Sequence, residues 1–314
     1  MNWRSLIRHE TILAILVVIV LAVLAQRSDR FLTLENLLNQ GRLMAEVGMI
    51  ALAMTFVIVT GGIDLSVGSI VGMVAILLGV FWHDVGMALP VAVVLALIVG
   101  TVAGTVNGLI ITTFKVPPLI ATLATLALYR GLAEGISQAR SVRGYPDWFY
   151  VFGQGQILDI PVQVWIMVIA AIIAACILGL TVFGRSTYAI GSNETAAKFS
   201  GIAVDRTKLV IYSASGLCAA VAAVVFVSRV TTTRSDMGTG WELDAITAVV
   251  LGGTSIFGGR GTIIGTALGL ILMQALKNGL LLAGYKGDST IVVIGAALIL
   301  TVLLSNLSSR GRET

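Results

Sequence analysis

Only 11% of the 314 residues are charged while 57% are hydrophobic, and the mean hydropathy is +0.99. Soluble domains keep about a quarter of their residues charged, so this composition excludes a soluble globular protein and specifies an integral membrane protein. The net charge of +4, from 20 basic and 16 acidic residues, lies mostly in short connections between apolar runs, which reports topology and excludes nucleic acid as a partner.

In chain order, Arg4, Arg8 and His9 precede an apolar run over 11–25. Val23-Leu24-Ala25 would suit a processing site, but the polytopic remainder favours a retained first span with its N-terminus in the cytoplasm. Further apolar runs cover 42–60, 64–82, 87–113, 117–137, 162–183, 206–228, 242–252, 262–283 and 289–306, so the sequence predicts an all-α membrane protein of about ten transmembrane helices. Alternating them puts Lys115, Arg185, Lys198, Arg206, Lys208, Arg260, Arg310 and Arg312 on the side of the N-terminus, which makes both termini cytoplasmic. The run 242–252 falls short of the ~20 residues of a full span and reads as a broken helix. Segments 138–161 and 229–241 are expected outside. The aromatics at 145–150 suit a membrane-interface anchor or a docking surface for an external partner. Cys176 and Cys218 fall inside apolar runs and read as small core residues.

Gly61-Gly62-Ile63-Asp64-Leu65-Ser66-Val67-Gly68-Ser69 interrupts two apolar runs, the pattern of another broken helix. Free backbone groups in hydrocarbon are costly, so such a break needs a function or a buried cap. Asp64, the most central carboxylate, is expected to cap the following helix, to serve a polar permeation path or gate, or both. Gly252-Gly253, followed by Thr254-Ser255-Ile256-Phe257-Gly258-Gly259-Arg260-Gly261, repeats the break, and Asn107-Gly108-Leu109 resembles Asn278-Gly279-Leu280. Two related halves follow. Lys115 and Lys286 thread to opposite sides, as an inverted repeat requires, whereas the two Gly-Gly sites thread to the same side. Glycines four residues apart, Gly100, Gly104, Gly108 and Gly261, Gly265, Gly269, let helices approach backbone to backbone, within one subunit or between subunits.

No GxxxxGK[ST] loop is present, so the chain is not its own ATPase and no cofactor is expected on it. His9 and His83 are its only histidines, so no histidine-based metal or catalytic cluster is expected and the chain is not expected to be an enzyme. The spans carry no run of acidic or basic residues, so the cargo is expected to be neutral. Hydroxyl and amide groups at Thr55, Thr60, Ser66, Ser69, Asn107, Thr122, Thr125, Ser213, Ser215, Thr247, Thr254, Ser255, Gln274 and Asn278 can bind a neutral polyol or simply pack helices. The internal loop 184–206 holds the most informative soluble piece: Asn193 as N-cap, Glu194 in a first turn and Gly201 as stop outline a helix of about two turns, too short to stand alone.

These residues resemble the permease subunits of bacterial ATP-binding-cassette (ABC) sugar importers of the ribose, xylose, arabinose and autoinducer-2 type. The resemblance spans nearly the whole chain as a single permease domain, 1–314, and is carried by 61–69, by Ala189-Ile190-Gly191-Ser192-Asn193-Glu194-Thr195-Ala196-Ala197 with Ser200-Gly201-Ile202, and by 243–253. It implies a type II importer-like fold in the bacterial inner membrane. It also implies that the loop 188–206 carries a coupling helix that docks in an ATPase subunit through Asn193, Glu194, Ala196, Ala197, Ser200 and Gly201. The Glu-Ala-Ala-x-x-x-Gly pattern of broader ABC importers has one residue inserted after Glu194 here. The implied partners are ABC ATPase subunits that use the ATP, a second permease copy or paralogue, membrane lipid, and a periplasmic sugar-binding protein. The cargo would be a pentose, a deoxyhexose such as rhamnose, or a furanose autoinducer, moved by alternating access past Gly61, Gly62, Asp64, Ser66, Asn107, Thr247, Gly252, Gly253 and Asn278. A passive sugar channel without an ATPase partner is the competing reading.

Overall fold

The computed structural model describes residues 3–285 and the isolated positions 292, 295, 296 and 299. Between its loops and turns the described chain is helical, with one small antiparallel hairpin, β1 (Gln156–Ile157) and β2 (Ile160–Pro161). The helices are α1 (Trp3–Arg27), α2 (Leu34–Val59), α3 (Val67–Gly79, continued by a π-helical turn to Asp84), α4 (Leu89–Thr113), α5 (Pro118–Ser137), α6 (Val151–Gln154), α7 (Val162–Leu180), α8 (Val182–Ser192), α9 (Glu194–Phe199), α10 (Val204–Val230), α11 (Trp241–Leu251) and α12 (Ile263–Leu282).

Eight of these are long and apolar enough to cross a membrane: α1, α2, α3 with its π turn, α4, α5, α7, α10 and α12. Helix α11 has 11 residues and reaches about 16 Å at 1.5 Å per residue, half a bilayer, as its short apolar run predicts. The expected tenth span, 289–306, lies outside the described residues except for single positions. Helix α2 begins at Leu34 rather than near 42, because the Thr33 hydroxyl accepts from the Asn36 amide (3.4 Å) and opens the helix within a polar stretch.

Helix α10 organises the bundle. It packs along α2, α3 and α4, so the consecutive α2 and α3 each lie against α10 rather than closing on one another as a hairpin. The directions agree with the threading: Glu10 meets Thr262 while Leu24 meets Gly279, so α1 and α12 run parallel. The least enclosed spans are α1 and α7, whose outward Ile12, Ile15, Ile172 and Ile173 suit lipid. Cys176 is on that outer face of α7 and Cys218 is half-buried. The expectation of two core cysteines is therefore corrected at Cys176, because a lipid-facing side is as apolar as a core and the sequence does not separate them.

Both glycine stripes pack inside the chain. Gly104 on α4 faces Gly216 and the Tyr212 carbonyl on α10, and Gly252 at the end of α11 lies against Gly265 and Gly269 on α12. A Cβ at Gly104 would overlap backbone, whereas one at Gly131 on α5 meets nothing within 4 Å. Gly104→Val is expected to lower stability by ~1–3 kcal/mol or more, with part of the bundle displaced. Gly131→Ala, at an unobstructed helix position, is expected to be neutral or to stabilise by up to ~1 kcal/mol. Thermal unfolding of the two variants in one detergent checks both signs.

Candidate functional site

The break between α2 and α3 is fixed by chain geometry first. Gly61 has φ +78°, the left-handed region open to glycine, and Gly62 leaves room for the Tyr212 hydroxyl, which a Cβ would strike. The chain then carries Asp64 into a closed polar node. One Asp64 oxygen accepts from the Ser66 amide (3.1 Å) and the Ser66 hydroxyl (2.7 Å), and the other accepts from the Ser215 hydroxyl on α10 (2.9 Å). The Asn107 amide nitrogen on α4 donates to Ser66 Oγ (2.7 Å), and the Tyr129 hydroxyl on α5 reaches Asn107 Oδ1 at 3.4 Å and the Ala103 carbonyl at 3.0 Å. Thr122 of α5 donates to the Ile63 carbonyl (3.1 Å). Asp64, Ser66, Asn107 and Thr122 are all fully buried.

The node therefore ties α3, α4, α5 and α10 together by neutral donors around a single carboxyl group. The expected helix cap is corrected in detail: Ser66, not Asp64, precedes Val67, and no side chain caps α3. Asp64 accepts from the Ser66 N–H, one residue outside the helix, so it sets the turn that aims α3 and leaves the helix terminus itself uncapped.

A second convergence joins the two Gly-Gly breaks. The Gly259 amide donates to the Val59 carbonyl (2.9 Å), Gly258 lies against Gly61, and both press on Gly191 at the end of α8, where a Cβ would overlap the Val59 carbonyl. The Tyr188 hydroxyl donates to the Gly261 carbonyl (2.6 Å), and burial pushes this phenol up to about 12, so it remains a donor throughout the physiological range. The two breaks thus meet at one end of the molecule, as the charge-based threading has it, and are not inverted counterparts of each other.

Of the path candidates, Gly61, Gly62, Asp64, Ser66 and Asn107 come together at or beside the node. Thr247 is buried on α11 and turned back onto its own Leu243 carbonyl (2.7 Å); Gly252 packs on α12, and Gly253 makes the left-handed exit from α11. Asn278 is buried near the far end of α12, one residue before the Gly279–Leu24 contact with α1.

The short internal helix forms where its end signals place it. Asn193 Oδ1 accepts from the Ala196 amide (2.9 Å), and Gly201, with φ +82°, ends α9 while the Ile202 amide returns to the Ala197 carbonyl (3.1 Å). Ala197 is the buried anchor, packed with Ile190 and Val204, whereas Asn193, Glu194, Ala196, Ser200 and Gly201 are exposed. Glu194 bridges to Lys208 on the first turns of α10 (2.6 Å). Phe199, which the cap-and-stop pattern does not single out, ends the helix 89% exposed. An apolar residue on the face opposite Ala197 was the available signal.

A family described as "Branched-chain amino acid transport system / permease component" matches residues 36–302. The chain belongs to this permease family. It is 46% identical over 297 residues to the ribose import permease protein of Bacillus subtilis (strain 168), covering 94% of this chain and 91% of that one. It is 39% identical over 306 residues to the ribose import permease protein of Escherichia coli (strain K12), covering 96% and 94%. It is 40% identical over 306 residues to the autoinducer 2 import system permease protein of Escherichia coli O9:H4 (strain HS), covering 95% and 92%. No solved structure matches. The resemblance to the permease subunits of bacterial ABC sugar importers therefore holds over nearly the whole chain.

At the opposite end of α10 the permease carries two charged anchors that hydropathy does not reveal. Glu46, buried in α2, takes a two-pronged bond from Arg229 (2.7 and 2.9 Å), whose guanidinium lies 4.9 Å above the Phe226 ring. Arg130 on α5 donates to the carbonyls of Ser235, Met237 (3.1 Å) and Gly68 (3.2 Å). It thereby binds the irregular loop 231–240 to the start of α3. Two carbonyls of that irregular loop are thus satisfied from within the protein, the condition under which non-helical backbone beside a half-length helix such as α11 is tolerated.

Proposed function

We propose that the chain is the membrane subunit of an inward sugar pump: it moves a neutral monosaccharide across the bacterial inner membrane by alternating access, driven by a separate ATPase subunit. The observation that carries this reading is α9, a capped two-turn helix anchored by Ala197 that offers Phe199 to a partner at the basic, cytoplasmic end of the bundle. A helix that short needs a surface to pack on, and an exposed aromatic at its end suits a partner's groove. The relatives named for ribose and autoinducer 2 import make ribose the first sugar to test, with the furanose autoinducer and rhamnose beside it. ATP belongs to the partner, both termini face the cytoplasm, and a sugar-binding protein delivers cargo from outside to a pair of permeases. In this reading the Asp64 node is the joint that moves, because it ties the break before α3 to buried side chains of α4, α5 and α10 without a charge partner.

The test is uptake of radiolabelled D-ribose, furanose autoinducer and rhamnose into proteoliposomes. Uptake is expected only when the ATPase subunit, the cognate binding protein and ATP are all present, and the purified permease alone is expected to hydrolyse no ATP. Saturable uptake by the permease alone would establish the passive channel instead.

A further inference from the structure

At the outer end of α10, more than ~30 Å along the helix from the α9 loop, a cavity of about 290 Å3 opens between Phe226, Thr232, Arg234, Asp236, Thr239 and Trp241. We propose that this cavity is a transit site at which the permease itself binds one monosaccharide; the proposal rests on the sugar-pump reading and names the place where the sugar first meets this chain.

Four observations carry it. The size lies at the lower end of the ~300–1,000 Å3 of small-molecule sites, enough for one sugar ring with a few waters and too small for a folded partner. Its lining pairs an aromatic wall with polar groups: the Phe226 and Trp241 rings lie 4.8 Å apart, and apolar C–H faces of a sugar ring stack on such surfaces. Arg234 and Asp236, which also line it, form an exposed ion pair (Nε to Oδ1 2.9 Å) whose donors and acceptors match neighbouring hydroxyls of a polyol. Thr232 also lines the cavity, and its hydroxyl is shut off from solvent and has no hydrogen-bond partner. A buried hydroxyl without a partner is unfavourable, and rotation about χ1 lets a sugar hydroxyl satisfy it.

The rim is held in place rather than loose. Arg130 fixes the Ser235 and Met237 carbonyls, Thr233 exchanges backbone and side-chain bonds with Val142 (both 3.1 Å), and the Thr239 hydroxyl closes on the Asp236 carbonyl (2.7 Å). The cavity also sits where α11 stops short, the kind of place at which discontinuous membrane helices let irregular backbone line a binding site.

The experiment uses the permease–ATPase complex in nanodiscs, without binding protein and without ATP, so that no docking event moves the helices. The permease has Cys176 and Cys218 replaced by Ala and carries Thr239→Cys, or Leu158→Cys on the exposed hairpin as control. The probe is the sugar that the intact complex transports among ribose, furanose autoinducer and rhamnose. At millimolar sugar, maleimide labelling of Thr239→Cys is expected to slow at least fivefold, with Leu158→Cys unchanged. In the complete transporter, Thr232→Val and Trp241→Ala are each expected to raise the half-saturating sugar concentration or cut uptake at least fivefold, while stimulation of ATP hydrolysis by the binding protein stays within twofold. Equal labelling with and without saturating sugar, in a complex that transports it, overturns the site. Loss of binding-protein stimulation in both variants also overturns it and makes the cavity a protein-docking notch. A complete transporter that takes up none of the three sugars, nor xylose or arabinose, overturns the parent reading before any variant is made, and the site falls with it.

Discussion

Asp64→Leu is expected to abolish uptake and to destabilise the bundle, whereas Asp64→Asn is expected to fold normally and to keep uptake within about threefold of the parent. The contrast follows from counting donors. Three groups donate to Asp64, the Ser66 amide, the Ser66 hydroxyl and the Ser215 hydroxyl. Leucine leaves all three without an acceptor in a region closed to water. Each orphaned buried donor costs ~1–3 kcal/mol, so the loss reaches several kcal/mol and disconnects α3 from α10. Asparagine keeps one carbonyl oxygen for the two Ser66 donors. Its amide nitrogen then faces Ser215, whose hydroxyl can turn to accept. Ser215→Ala, which removes one tie and leaves Asp64 its two Ser66 bonds, is expected to cost ~1 kcal/mol. Thermal unfolding in detergent and sugar uptake in proteoliposomes read the series. A normally folded Asp64→Asn protein with no uptake would show that the negative charge itself is needed, and would move the residue from joint to pathway.

The node also shows where a sequence stops being informative. That 61–69 breaks a helix was legible, because glycines and an aspartate between two apolar runs have no other account in a bilayer. The depth of the break, and the partners waiting there, were not. Ser215 lies 151 residues away and Asn107 is 41 residues from Ser66, and nothing local in either helix marks its polar side chain as facing the node rather than a neighbouring turn. The reason is general to this class: lipid and protein interior are equally apolar, so the alternation that marks a buried face in a soluble helix is absent. That is why Cys176 read as core and stands on the exposed outer face of α7, and why the bond between Glu46 and Arg229, 183 residues apart, left no trace in hydropathy. End signals fared better because they are local. Asn193, Gly201 and the short run before Gly252 set the bounds of α9 and α11 by chemistry that acts within four residues. The meeting of the two Gly-Gly breaks fell between these cases. Charge counting put both on one side, repeat matching wanted them opposed, and the backbone contact of Gly259 with Val59 decides for the charges. Electrostatic sorting acts on the whole loop, whereas a two-glycine likeness is short enough to arise from turn chemistry alone.

Phe199→Ser is expected to leave stability within ~0.5 kcal/mol and to stop transport, because a side chain 89% exposed contributes little to folding and, in the proposed pump, much to association. A central aromatic anchor of an interface is worth ~2 kcal/mol or more, which is about thirtyfold in affinity for the ATPase subunit. Its neighbours on α9 sort by the same logic. Glu194→Gln gives up an ion pair to Lys208 whose carboxylate side is 53% exposed, worth ~0–1 kcal/mol, so a modest effect is expected. Gly201→Val forces a branched residue into φ +82°, at ~1–2 kcal/mol, and so shifts the C-terminal turn that presents Phe199. Ala197→Asp places a charge against Ile190 and Val204 and should unseat the helix altogether. Pull-down of the ATPase subunit and ATP-dependent uptake, both measured on detergent-stable protein, separate the cases. Phe199→Ser and Gly201→Val should lose association at unchanged or slightly lowered unfolding temperature, Ala197→Asp should lose association and local stability together, and Glu194→Gln should stay near the parent in both. Full association of Phe199→Ser with the ATPase would remove α9 from the interface, because no other residue of that helix offers a comparable apolar surface: Ala197 faces inward, and the remaining exposed positions are alanine or polar.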